Sequence, residues 1–160
     1  MALNGQPTVF VDSVSDVTAT LPAGYEVGIR RYKGNEQYML VYNNGNSQAT
    51  VGNGVTITAL TGYSVTVSSV TSVNPCFGVV RNATMTTATY GWVVIKGFSS
   101  LKADASTGLA VGDACCLGTD GVFQRLTGAT GYAFAPVCAW VLQATASAGL
   151  GYGYVNAFQS

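Results

Sequence analysis

Apolar and polar residues alternate most cleanly between positions 55 and 68. Val55, Ile57 and Ala59 share one face of an extended chain, with Thr56 and Thr58 on the other. Residues 63–68 repeat the pattern, and Thr61-Gly62 between the two runs predicts a tight turn, hence a β-hairpin. Gly34-Asn35 separates a second pair of runs, 27–32 and 37–42. Asn43-Asn44-Gly45-Asn46, Asn53-Gly54 and Asp120-Gly121 supply further turn residues tolerant of positive φ.

Four later runs, 76–80, 90–98, 136–143 and 151–158, are apolar on both faces. In the second, Trp92, Val94 and Phe98 are expected to point one way and Val93 and Ile95 the other. Strands of this kind lie centrally in a sheet or are covered by a neighbouring subunit. Tyr152, Tyr154 and Phe158 fall on one side of the last run, with glycines between them that ease close approach. Helix signals are weak, with at most one turn near residues 103–108. Valine, threonine and glycine dominate, and the β-branched weight favours strands. The expected fold is mostly β: about ten short strands in a compact antiparallel barrel or sandwich spanning residues 25–160. Residues 1–24 are irregular, with Val9, Phe10 and Val11 among polar neighbours, and predict an extended N-terminal arm ordered by docking on a partner.

Charge sharpens this picture. Seven basic and seven acidic side chains serve 160 residues, with no histidine. Residues 37–80 and 126–160 carry no charge at all. A monomer of this size ordinarily draws about a quarter of its residues from Asp, Glu, Lys and Arg, so the expectation is a surface that largely faces other protein. Zero net charge gives no long-range attraction to nucleic acid or anionic lipid. Arg30, Arg31 and Lys33, flanked by Glu26 and Glu36, read as a solvated hairpin edge. The N-terminus shows no basic and apolar leader, and the uncharged C-terminal stretch is broken by Pro136 and several glycines. No secretion signal and no membrane span are therefore expected.

Chemistry is poorly provided for. Without histidine the usual general base and metal ligand are missing. Asp113 and Asp120 sit in turn sequences, where aspartate bonds nearby backbone N–H groups. Cys76, Cys115, Cys116 and Cys138 have no C-x-x-C spacing, and in a reducing cytosol they read as small buried hydrophobes. Gly149-Leu-Gly-Tyr-Gly153 lacks the alternating β-α setting of a nucleotide loop, and Asn82-Ala83-Thr84 means little without secretion. No catalytic residue, metal site or cofactor is expected. Tyr25, Tyr32, Tyr38, Tyr42, Tyr63, Tyr90 and Trp92 suggest instead a protein interface or a sugar-binding platform.

The second half carries a more particular layout. Cys76-Phe-Gly-Val-Val80 is followed by a Thr/Ala connection and Tyr90-Gly-Trp-Val-Val-Ile-Lys-Gly-Phe98. Gly108-Leu-Ala-Val-Gly-Asp113, Cys115-Cys-Leu-Gly-Thr-Asp-Gly-Val-Phe123 and a closing strand after a small-residue turn complete it. This order resembles the head decoration, or cement, proteins of tailed bacteriophages. The resemblance implies a structural virion protein on the capsid exterior, assembled in the bacterial cytoplasm and bridging neighbouring subunits of the major capsid protein. It also implies a homo-oligomer, a trimer, with no catalytic residues. On that reading Val9, Phe10 and Val11 are the candidate capsid contacts, and Tyr90, Trp92, Tyr152 and Tyr154 the candidate oligomer interface. A tail, baseplate or head-fibre component, or a carbohydrate- or receptor-binding β module, stands as the alternative.

Overall fold

The computed structural model describes residues 17–21, 23–67, 75–81, 83–126 and 136–157. Val9, Phe10 and Val11 lie outside them. Ten strands are present among the described residues: β1 (Arg30–Lys33), β2 (Glu36–Asn43), β3 (Gly54–Ala59), β4 (Ser64–Thr66), β5 (Gly78–Val80), β6 (Thr89–Lys102), β7 (Ala114–Leu117), β8 (Phe123–Arg125), β9 (Ala139–Gln143) and β10 (Leu150–Asn156). They hydrogen-bond in the order β1-β2-β4-β3-β5-β6-β10-β9-β7-β8, and β6 also pairs back with β2. That extra pairing closes β2, β4, β3, β5 and β6 into a small barrel, which leaves those strands no free edge at the join.

Both expected hairpins form. Ile57 stands opposite Val65 across β3 and β4, and Tyr32 opposite Gln37 across β1 and β2. The pair Asn53-Gly54 is not a turn: the positive φ falls at Gly52, and Gly54 opens β3. Residues 104–106 bend around a side chain and are not helical. The Asp104 carboxylate accepts the Ser106 backbone N–H at 2.7 Å and so offers the chain an alternative to helical bonding.

The strands apolar on both faces separate two cores. Met39, Val41, Val55, Val65, Val93 and Ile95 fill the barrel interior with Met85 and Phe77. The alternate residues of the same strands, Tyr38, Leu40, Trp92 and Val94, face outward from the barrel. They pack against Leu101, Leu117, Phe123, Ala139, Val141 and Val155. A second sheet, built from the far half of β6 with β10, β9, β7 and β8, therefore covers the barrel wall. The chain itself buries both faces of residues 90–95.

Strand β6 belongs to both bodies because it changes face part-way. Gln37 stands opposite Lys96 but Tyr38 opposite Val94, so β6 carries one residue more than β2 there. Such a bulge bends the strand and increases its twist. Before it, Trp92 and Val94 face the second core; beyond it Leu101 and Ala103 do so. Phe98 is thereby turned away from Trp92 and Val94, contrary to the simple alternation, and joins the outer side of the second sheet. Gly97 makes the bend, at φ 119°, and a Cβ there would lie 2.9 Å from the Glu36 Cα. Gly153 serves the neighbouring contact, since a Cβ on it would stand 2.4 Å from the Trp140 carbonyl oxygen.

Gly97→Ala combines a backbone conformation that L residues avoid with a clash against backbone that cannot yield. It is expected to cost about 2–5 kcal/mol. A urea midpoint that falls with an unchanged slope would show this; an unchanged midpoint would mean that the bend does not need glycine.

Candidate interaction surface

The outer face of the second sheet is assembled by register. Tyr154 pairs with Phe98 on β6 and Trp140 on β9; Tyr152 pairs with Ser100 and Gln143. Gly151, Gly153 and Val155 point inward between these positions and are buried, so β10 presents its rings on one side only. Phe98 lies 6.1 Å from Tyr152 with near-parallel planes and 5.5 Å from Tyr154 edge-on. A register shift between Tyr152 and Gly153 gives β9 an extra residue, Leu142, beside this row. Trp140 is 40% exposed, Leu142 51% and Leu150 54%. The charged residues of β6, β9 and β10 are Lys96 and Lys102, at the two ends of the β6–β10 ladder. An apolar, ring-rich patch with cations at its margin is the composition of a protein contact more than of solvated surface.

The four candidate interface residues divide between two places. Tyr152 and Tyr154 lie half-buried on this outer face. Trp92 is 7% exposed in the second core, and Tyr90 packs against that core beside Tyr42, 4.8 Å away. Trp140 and Leu142 were not among the candidates. The sequence carries no signal for them, since residues 139–142 are all apolar; only burial alternates, with Ala139 and Val141 inside and Trp140 and Leu142 exposed.

Trp92 has a different partner. Arg31 is 1% exposed, and its guanidinium sits 4.6 Å above the Tyr25 ring and 4.5 Å above Trp92. It also donates to the Tyr25 hydroxyl. The solvated-edge reading therefore holds for Arg30 and Lys33, which are exposed, and fails for Arg31. A delocalised, weakly hydrated cation between two ring faces recovers in the interior part of what it loses in leaving water. Nearby, Arg81 pairs with Glu36 and donates to the Tyr38 hydroxyl at 2.7 Å, while that hydroxyl donates to Glu36 at 2.6 Å.

The other tyrosines are not gathered into a platform. Tyr38 is buried, Tyr25 stands perpendicular to Trp92, and Tyr63 tilts against Phe77. Polar chemistry is committed to the scaffold. Asp113 accepts the Ala110 N–H at 2.7 Å, and Asp104 accepts from Gln124 at 2.8 Å. Hydrogen bonds from Ser106 and then Gln124 hold the Asp104 carboxyl below its ordinary value. Asp120 occupies the positive-φ turn before β8. Buried Asn53 donates to the carbonyls of Asp120 and Gly121 and accepts from Thr50, tying the barrel to the turn between β7 and β8. Asn43 likewise donates to the Ser47, Met85 and Thr86 carbonyls. Among the described residues no cluster of three or more His, Cys, Asp or Glu side chains is placed to hold a metal. All four cysteines are free and buried.

No protein-family model matches this chain, and no curated protein matches it. Five chains of solved structures do, including two from bacteriophages. One is the N base of the head fibre gp8.5 of bacteriophage phi29, with a TM-score of 0.53 and 9% identity, covering 77% of this chain and 98% of that one. The other comes from the capsid of Myoviridae phage XM1, with a TM-score of 0.50 and 16% identity, covering 99% of this chain and 100% of that one. The likeness is one of fold. It extends to the closed barrel with its extra strands, so the mostly-β architecture expected from the sequence is the one observed.

Burial, then the bond to Glu36, pushes the Tyr38 hydroxyl up to about 12 from 10.0. Burial also pushes Cys115 up to about 12 and Cys116 to about 11 from 9.0. The folded state thus prefers all three protonated, and the unfolded chain releases those protons at lower pH. Their contribution to stability is complete below pH 9 and is lost as pH rises through 9 to 12. Urea midpoints should be level up to pH 9 and fall above it, and Tyr38→Phe should lessen the fall above pH 10. A level profile to pH 12 would contradict the burial of these groups.

Proposed function

We propose that this protein is a structural component of a tailed-bacteriophage head. On this reading it binds the outside of the capsid and stabilises it by bridging neighbouring capsid subunits. The observation that carries the reading is a fold matched over 99% of the chain by a protein from a phage capsid. The apolar patch around Trp140 and the commitment of every aspartate described above to a turn or loop agree with a role in assembly.

Bridging stabilises a shell under internal pressure because opening it must expose the bridged area. Roughly 25 cal/mol per Å² of apolar surface makes several hundred Å² per subunit worth several kcal/mol before ordering costs. In an oligomer, the second and third attachments act at high effective concentration, so individually weak contacts are enough. Self-association through Trp140, Leu142, Tyr152 and Tyr154 and attachment through Val9, Phe10 and Val11 complete this reading. A head-fibre role is the second reading, favoured by the match to 98% of the phi29 fibre base. Electron microscopy of virions labelled through this chain separates the two. Label over the whole head fits decoration, label on projecting fibres fits the second reading, and label confined to the tail rejects both.

Replacing Trp140 and Leu142 together by serine should weaken self-association by about 2 kcal/mol, roughly thirtyfold. The thermal midpoint of the separated subunit should stay nearly unchanged, because both side chains already face solvent. Sedimentation measures the first and calorimetry the second; unaltered association would remove this face from the interface.

Deleting residues 2–16 should abolish co-sedimentation with undecorated heads. It spares Thr18, whose backbone N–H and carbonyl bond Tyr90 at 3.0 and 2.8 Å. Undiminished binding would place the capsid contact elsewhere.

A further inference from the structure

Cys76 and Cys138 come from segments 62 residues apart, one leading into β5 of the barrel and the other into β9 of the second sheet. They meet where those two bodies join. Both belong to the second core, at 4% and 2% exposure, yet both border one open cleft of about 410 Å³ shared with Pro75, Val137, Trp140 and Ala157. The Cys76 thiol donates to the Gly78 carbonyl and the Cys138 thiol to the Cys115 carbonyl, each at 3.5 Å. The neighbouring Cys76 thiol, and then burial, hold Cys138 protonated well above the ordinary thiol range.

We propose that Cys76 and Cys138 form a latent disulfide pair, closed by a small-molecule disulfide entering the cleft, that staples the barrel to the second sheet. The pair differs from the other cysteines in topology. Cys115 and Cys116 are neighbours on one strand, whereas Cys76 and Cys138 join elements far apart in sequence. A bond between them closes a loop of roughly 60 residues, the kind of link that most constrains an unfolded chain.

The chemistry is ordinary exchange. Cys76 gives its proton to water, and its sulfur attacks one sulfur of the small disulfide, forming a mixed disulfide and expelling one small thiolate. Cys138 then loses its proton, attacks the Cys76 sulfur and expels the second. The protein loses two hydrogens as the small disulfide is reduced to two thiols. Because the thiolate is the nucleophile and both thiols are buried, both steps are slow near neutral pH and quicken as pH rises. The reaction depends on thiol placement alone and does not rest on the head-protein reading.

The test is peptide mapping of the full chain after prolonged incubation with oxidised glutathione at mildly alkaline pH. The expected product is a Cys76–Cys138 linked peptide, lighter by two hydrogens, in a protein whose thermal midpoint is raised by about 8–15 °C. Dithiothreitol should reverse both changes. Cys115→Ser should leave the link intact, and Cys138→Ser should abolish it. Four free thiols after exhaustive incubation, a Cys115–Cys138 link, or only cross-links between molecules would each overturn the proposal. The mapping on the unaltered chain decides the matter even if a variant fails to fold.

Discussion

Everything else in this structure depends on β6, whose residues 91–95 are buried from both sides by their own chain. Fourteen residues long, it is a wall of the barrel in its first half and the root of the second sheet beyond the bulge. Val93 and Ile95 contribute to one core while Trp92 and Val94 contribute to the other. A stretch used in this way has no polar face to spend on water, so residues 91–95 read as a continuous apolar run. The bend at Gly97 lets the second sheet fold back over the barrel instead of continuing it. Without that bend the outward-facing Tyr38, Leu40 and Val94 would lose their cover.

Alternation made the β3–β4 hairpin legible, because Val65 is buried there while Thr58, Ser64 and Thr66 reach the surface; β2, buried on both faces, was legible only through the turn before it. The β3–β4 hairpin falls where residues 55–68 place it, and β1–β2 follows from Gly34-Asn35. The doubly apolar runs were legible as strands but not as to what covers them. Sequence shows that both faces of residues 90–98 are apolar without showing whether the cover lies in the same chain. Here β10, β9 and β7 provide it for Trp92 and Val94, so the case for a companion protein moves to Trp140 and Leu142. The reversal at Phe98 was illegible for a related reason. A bulge adds one residue, and in a run apolar on both faces no polar position falls out of step to reveal it.

Buried polar residues were the other obscure class. Asn43 and Asn53 sit in sequences indistinguishable from exposed turns, yet each satisfies several backbone groups in the interior. Both occur where the chain must leave the barrel and return, and where backbone groups lack strand partners. Their short amides close those gaps without a strand.

The scarcity of charge acquires a different weight once its placement is known. Arg31 is enclosed between Tyr25 and Trp92, and Arg81 and Glu36 are drawn into a shared network with Tyr38, their side chains 26% and 14% exposed. A chain with few charges thus spends several of them indoors, where they orient the barrel wall against the β1–β2 hairpin. The surface left to water is poorer in charge than the composition alone implies, and on the outer face of β9 and β10 it is apolar as well. Solvation by charge, the ordinary way a domain stays dispersed, is therefore weakest on the face that also exposes the largest apolar side chains. That coincidence is the physical argument for a protein that works in company. It stands on burial and register alone, independently of any likeness to other folds.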